Sequence, residues 1–339
     1  MCYNPQRMIR KKQSAIFRSF YRDVIPASFK TAWFERWMWP WAIFASAIVS
    51  GGLFDVAANI FQSVRGTGSL LFTPAIFQTV EGWVRDYAAA PNSAYFIVNI
   101  AITVLLVVGV FLLSCLAQGV LVYGHGGRAA GKDSLAKTSV RSASAHLWQI
   151  VGLTFITGFF AWIIRFALLV PYVLSQRTPS VVLTLVSIGG ALVYLALTVL
   201  LIATHIFALN AIVQQGARLA ESLVRAWTMA RQEWLHLIEL GFALWLINAL
   251  ALSAAALGFV VMGVPIFLVM VAAALLNNPA VLYAAYFFGG VLFISIMFVT
   301  AAITVSFQYG VWHHLYLRLG EGGLAPKIHR LVRWFMKKA

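Results

Sequence analysis

A chain of 339 residues that is 61% apolar and only 10% charged is not an ordinary soluble domain, in which about a quarter of the residues are charged. Its net charge of +15 therefore reads as basic segments lying against anionic lipid, and a nucleic-acid partner is not expected. The two cysteines, Cys2 and Cys115, cannot form a disulfide framework, and Cys115, inside an apolar run, predicts a packed thiol.

The chain opens with 37 basic, polar residues. Within them Ile16, Phe17, Phe20, Tyr21 and Val24 recur at helical spacing opposite Arg18 and Arg22, the pattern of a helix lying in the membrane interface. The apolar run that follows, 38–62, lacks a small-residue cleavage site near its end, so it reads as a retained first span and not as a signal peptide. Trp33, Trp37, Trp39 and Trp41 gather at its start, with Trp148, Trp234 and Trp312 at other inner ends, as in an interfacial aromatic belt. In the outer stretch 63–92, Thr73 and Pro74 open a candidate helix carrying Ile76, Phe77, Val80, Trp83, Val84 and Tyr87 on one side.

Five more apolar runs follow, 93–123, 147–175, 179–213, 234–276 and 280–317. Each exceeds the roughly 20 residues that cross a bilayer, which predicts six spans. The fifth would reach about 64 Å at helical rise; Gly258, Gly263 and Pro265 predict a break or kink in it. The tripeptide Asn277-Asn278-Pro279 joins it to the sixth as a long hairpin. Counting Lys and Arg outside the spans, the N-terminal segment, the 124–146 and 214–233 loops and the tail carry 8, 4, 3 and 6, hence 21 on one side against Arg65, Arg85 and Arg177 on the other. Basic residues accumulate on the cytoplasmic face, so both ends are expected inside, in a bacterial-type inner membrane.

Between the second and third spans lies "GHGGRAAGKDS", Gly124–Ser134. Gly126, Gly131 and Lys132 match a phosphate-binding loop, but Asp133 occupies the hydroxyl position and a membrane helix precedes the motif where a strand is required. Nucleotide binding is excluded on this pattern, and the glycines are expected to end the second helix.

Three segments are alike: "SFKTAW" from Ser28, "TSVRSA" from Thr138 and "SLVRAW" from Ser222, with a partial fourth copy, "HRLVRW", in the tail. Each of the first three precedes an outward span. This predicts an all-α polytopic bundle, one integral membrane domain of three hairpin repeats, about 14–123, 134–213 and 218–317, and an amphipathic tail, 326–339. In the third short helix Leu219, Leu223, Trp227, Ala230 and Trp234 share a face away from Arg218 and Arg225; in the tail Ile328, Leu331, Val332 and Phe335 oppose Lys327, Arg330 and Lys337. Arg18, Arg22, Arg141, Arg218, Arg225 and Arg330 are thus candidate contacts for lipid headgroups.

Charges inside spans suggest function by default. Asp55 and Arg165 fall at similar depth in equivalent spans with opposite charge and are expected to pair, or to share a polar network, in the outer half of the bundle. Glu239 and His205 complete the intramembrane polar set, with Asn99, Gln118, Asn210, Asn248 and Gln308 as uncharged sites. Catalytic machinery is not visible: no H-E-x-x-H or G-x-S-x-G occurs. His236 and Glu239, three apart, can face each other, whereas adjacent His313 and His314 diverge by about 100° on a helix and make a poor metal pair. No cofactor or metal is expected.

At the repeat, in "SFKTAW" and "SLVRAW", the chain resembles six-span bacterial membrane proteins of unknown-function families, including the membrane region of membrane-anchored glycerophosphodiester phosphodiesterases. The resemblance implies a six-span bundle; the soluble phosphodiesterase domain has no counterpart in this sequence, so that activity does not carry over. The expected function is non-enzymatic association with anionic lipid, with a membrane-protein partner or a second copy as further candidates. The alternatives are a small-molecule or ion transporter built around Asp55, Arg165, Glu239 and His205, and an intramembrane lipid-handling enzyme.

Overall fold

The computed structural model describes residues 20–46, 94–129, 135–177 and 181–320. Every element among them is helical: α1 (Phe20–Phe34), a 3₁₀ turn (Arg36–Met38), α2 (Trp39–Ser46), α3 (Ala94–Ala129), α4 (Leu135–Ala145), α5 (Leu147–Arg177), α6 (Val181–Gln215), α7 (Leu219–Gln232), α8 (Trp234–Leu275) and α9 (Pro279–Gly320). Five of these, α3, α5, α6, α8 and α9, are long and apolar enough to cross a membrane. The reason is composition. Lipid offers no partner to a backbone N–H or C=O, so an apolar run must satisfy its own polar groups as one uninterrupted helix. The expected first span, 38–62, is described only as far as Ser46, and the outer stretch 63–92 and the tail lie outside the described residues.

One expectation about glycine is corrected and another is narrowed. Of the break or kink expected in the fifth span, the break is absent: α8 runs as one helix through Gly258, Gly263 and Pro265. A single proline removes one hydrogen-bond donor, whereas a break would expose several backbone groups to lipid. Nor do the glycines of 124–127 end the second helix, since α3 continues through them to Ala129. Gly126 is there for a different reason: a Cβ at that position would collide with the Gln214 side chain of α6.

Among the described residues, two helices end on a residue with left-handed backbone. At the end of α8, Asn278 N–H reaches Ala273 C=O (2.8 Å) and Asn277 N–H reaches Ala274 C=O (3.1 Å), with Asn277 left-handed at φ 51°; this is a Schellman motif. Asn278 then caps α9, its Oδ1 accepting Val281 N–H at 3.3 Å, while Pro279 occupies the first helical position, where no donor is needed. At the end of α6 the corresponding bonds each reach one residue further back, from Ala217 N–H to Ala211 C=O (3.1 Å) and from Gly216 N–H to Ile212 C=O (3.0 Å), with Gly216 left-handed at φ 67°.

The chain divides into two compact units, Met1–Phe34, Gly119–Leu246 and Phe307–Ala339 in the first, Glu35–Gln118 and Ile247–Ser306 in the second. The first holds the tight core: Leu121, Ile150, Leu153, Phe207, Leu209, Ile212, Leu237, Leu240 and Leu315 are fully buried. Trp312, expected in an interfacial belt, is a core residue at 3% exposure, edge-on to Phe207 at 6.4 Å; its position on α9 turns it toward α6. Trp33, Trp148 and Trp234 are exposed, as a belt requires.

In the second unit, the 3₁₀ turn is held by Met38 N–H on Glu35 C=O (2.9 Å) and by Trp37 Nε1–H on the Glu35 carboxylate (3.2 Å). The arms of α8 and α9 meet edge-to-face at Phe259 and Phe293, 5.1 Å apart. Most of their large apolar side chains point outward, Val261 at 71% and Leu275 at 82% exposure, which suits lipid contact and not water.

Candidate functional site

Inside the first unit, polar groups from three helices meet in an otherwise apolar core. Asn210 of α6 donates from Nδ2 to the Ile206 carbonyl one turn back, 2.7 Å away. That bond fixes the amide, because the reversed orientation would oppose two oxygens. Asn210 Oδ1 is therefore the atom 2.6 Å from His313 Nδ1 of α9, and it also accepts from Gln214 Nε2 at 3.4 Å. An amide oxygen only accepts, so His313 carries a proton on Nδ1; a second proton on Nε2 would leave an unpaired charge in a fully buried ring, so the neutral form is favoured. Gln214 Nε2 reaches the Val122 carbonyl of α3 at 3.3 Å as well, closing a polar layer across α3, α6 and α9.

Two more histidines border the layer. His314 donates from Nδ1 to Gly310 C=O at 2.7 Å and comes within 3.5 Å of Ser28 Oγ on α1. His125 of α3 is buried against Gly310: a Cβ there would sit 2.8 Å from His125 Cε1, 3.0 Å from its Nδ1 and 3.2 Å from Ser28 Cβ. Glycine at 310 thus lets three helices cross at one point. The His313 and His314 rings lie 5.8 Å apart and 77° to one another, and they serve different neighbours. Among the described residues no group of three His, Cys, Asp or Glu is arranged to hold a metal.

Outside the layer, a second chain of hydrogen bonds ties α7 to the bundle: Arg225 Nη1 donates to Gln215 Oε1 (2.6 Å), and Gln215 Nε2 donates to Tyr316 OH (2.9 Å).

The expected intramembrane set falls in several places. Asp55 lies outside the described residues, and Arg165 falls on α5 with its side chain likewise outside them. His205 of α6 is 2.9 Å from Thr157 Oγ1 of α5; Thr157 gives its own proton to Leu153 C=O (2.9 Å), so the histidine Nδ1–H is the donor and the contact joins two spans. Glu239 is partly buried on α8. His236 turns back to Glu233, Nδ1 to Oε2 at 2.8 Å, a pairing made by the turn that opens α8.

Of the headgroup candidates, Arg22, Arg141, Arg218 and Arg225 are exposed on α1, α4 and α7, while Arg18 and Arg330 lie outside the described residues. Of the apolar faces read in the sequence, Val24 on α1 is buried and Trp227 on α7 is exposed. The buried edge is built from small residues, Ser28 and Ala32 on α1, Ser139 and Ala143 on α4, Ser222, Ala226 and Ala230 on α7. The bulky residues face out, with Trp227 at 55% exposure. Small side chains let backbones approach closely, and bulky apolar ones are left to meet lipid.

Sequence reasoning named Asn210, His125 and His313 individually but did not bring them together. A glycine three residues before His313 and another one residue after His125 were the available signals. Comparison with protein-family models, curated proteins and solved structures finds no match.

Proposed function

We propose that the protein is a non-enzymatic inner-membrane component of six spans, built from three helical-hairpin units with both ends cytoplasmic, that holds anionic lipid on its basic short helices. The observation that carries this reading is the construction of α1, α4 and α7. All three bury a Ser-x-x-x-Ala edge, Ser28/Ala32, Ser139/Ala143 and Ser222/Ala226, and leave Lys or Arg exposed beside it: Arg22 and Lys30, Lys137 and Arg141, Arg218, Arg225 and Arg231. Such helices anchor by apolar residues while arginine and lysine meet phosphate.

The repeat reading draws support from the same elements, with the second copy in the register "SVRSA" from Ser139, one residue on from the match read in the sequence. Each short helix rests on a returning helix of the preceding unit. Ala143 of α4 lies against Gly119 of α3, Arg225 of α7 is bonded to Gln215 at the end of α6, and α1 meets α9 through Ser28 at Gly310 and Phe29 at Phe307, 6.3 Å apart.

Each Lys or Arg near an anionic surface is worth about 1 kcal/mol. Replacing Arg218 and Arg225 together with Gln is expected to lower retention of phosphatidylglycerol roughly tenfold or more in native mass spectrometry. Unchanged retention overturns the lipid role. A second reading, transport of a small molecule or ion, is favoured by one feature, the polar layer at Asn210, Gln214 and His313.

A further inference from the structure

The layer leaves one atom unaccounted for. His313 is fully buried, its Nδ1 proton is committed to Asn210, and Nε2 is therefore an unprotonated acceptor. No hydrogen-bond partner reaches that Nε2 among the described residues. An acceptor stranded in an apolar interior costs about 1–3 kcal/mol, and in a polar, roomy setting the usual remedy is a small guest with protons to give.

The setting fits such a guest. The titratable groups facing His313 are His125 of α3 and His314 of its own helix. The polar groups around it are the Asn210 and Gln214 amides of α6 and the Ser28 hydroxyl of α1. Gln214, which touches Asn210, Val122 and His313, is itself exposed, so the layer reaches the surface along one edge.

We propose that His313 Nε2 is the acceptor of a small-solute site, which takes an O–H or N–H donor of water or ammonia size from the side of the bundle that carries the short helices. The guest donates one proton to Nε2 and can accept from, or donate to, the surrounding amides and imidazoles. The site is independent of the lipid-binding role: it uses none of the exposed arginines.

Solid-state NMR on the whole protein in phosphatidylglycerol-containing bilayers tests this. With ¹⁵N-histidine and ¹³C-asparagine labels, His313 is identified by its through-space contact to the Asn210 side chain, and independently by the signal lost in His313→Gln. The expected result is an Nε2 without a proton that receives magnetisation from water. Adding ¹⁵N-ammonium chloride separates the two sources. A new transfer from ammonium protons to the His313 ring identifies a solute site open to nitrogen donors; transfer from water alone identifies a water site. An Nε2 bearing its own proton, or one that receives magnetisation from neither source, overturns the proposal. Should His313→Gln fail to fold, the asparagine contact in the unaltered protein still decides the outcome.

Discussion

Replacing Gly310 by Ala sets two effects against each other in a place where their sizes can be weighed. In an open helix position the change should stabilise, because glycine costs about 0.5–1 kcal/mol relative to alanine. Gly258 and Gly263 of α8 are such positions, with nothing within 4 Å of an added Cβ. At Gly310 the new carbon would stand 2.8 Å from His125 Cε1 and 3.2 Å from Ser28 Cβ. His125 is buried and is not the loose end of a flexible chain, so it cannot yield without displacing α3 or leaving its pocket. Overpacking of this kind costs about 1–3 kcal/mol, which exceeds the propensity gain. Gly310→Ala should therefore lose about 1 kcal/mol, while Gly258→Ala and Gly263→Ala gain up to about 1 kcal/mol. The readout is the unfolding midpoint in SDS titrations of protein in mixed micelles, followed by circular dichroism. The cause is isolated by adding His125→Ala: the double variant should recover at least about 0.5 kcal/mol relative to the sum of the single effects. A Gly310→Ala protein as stable as Gly258→Ala, or strict additivity with His125→Ala, refutes the crossing described at Gly310.

Other consequences can be measured in the same way. Asn210→Leu and His313→Phe should each destabilise by about 1–3 kcal/mol, because each strands a buried partner, and together should cost less than their sum; equal and additive losses contradict the bond. Asn277→Gly should be neutral or slightly stabilising and Asn277→Val should lose about 1–2 kcal/mol, since the left-handed backbone there penalises a β-branched residue; identical midpoints for the two count against the turn. The sequence pairing of Asp55 with Arg165 predicts that Asp55→Asn and Arg165→Gln each destabilise in detergent, with the double change milder than the sum; additive losses dismiss the pair.

Five long apolar helices were legible because their signal is length and composition, which needs no help from tertiary contacts. The turn at 277–279 was legible for a similar reason: two asparagines and a proline carry their conformations with them. What escaped the sequence depended on neighbours. Pro265 and Gly263 carry a local tendency to break a helix, and the cost of exposing backbone to lipid overrides it. The glycines at 124–127 resemble a loop, yet Gly126 makes room for Gln214, a residue almost ninety positions away. The short helices read as amphipathic with a bulky face; which face turns inward was decided by how closely a helix can approach the bundle, and that favoured Ser222 and Ala226 over Trp227. Asn210 and His313 stood out as polar, but their union needs two helices placed side by side, which no spacing rule encodes.

The α8–α9 hairpin has a consequence for the surrounding bilayer. From Leu240 to Leu317 no charged residue occurs, and each arm of 42 residues is about 63 Å long at helical rise. Even leaning 40°, the steep end of what spans adopt, about 48 Å stands along the normal against roughly 30 Å of hydrocarbon. Leaning does not absorb that excess, so a hairpin of this length in a bilayer either stands past the hydrocarbon or gathers a thicker annulus of lipid around itself.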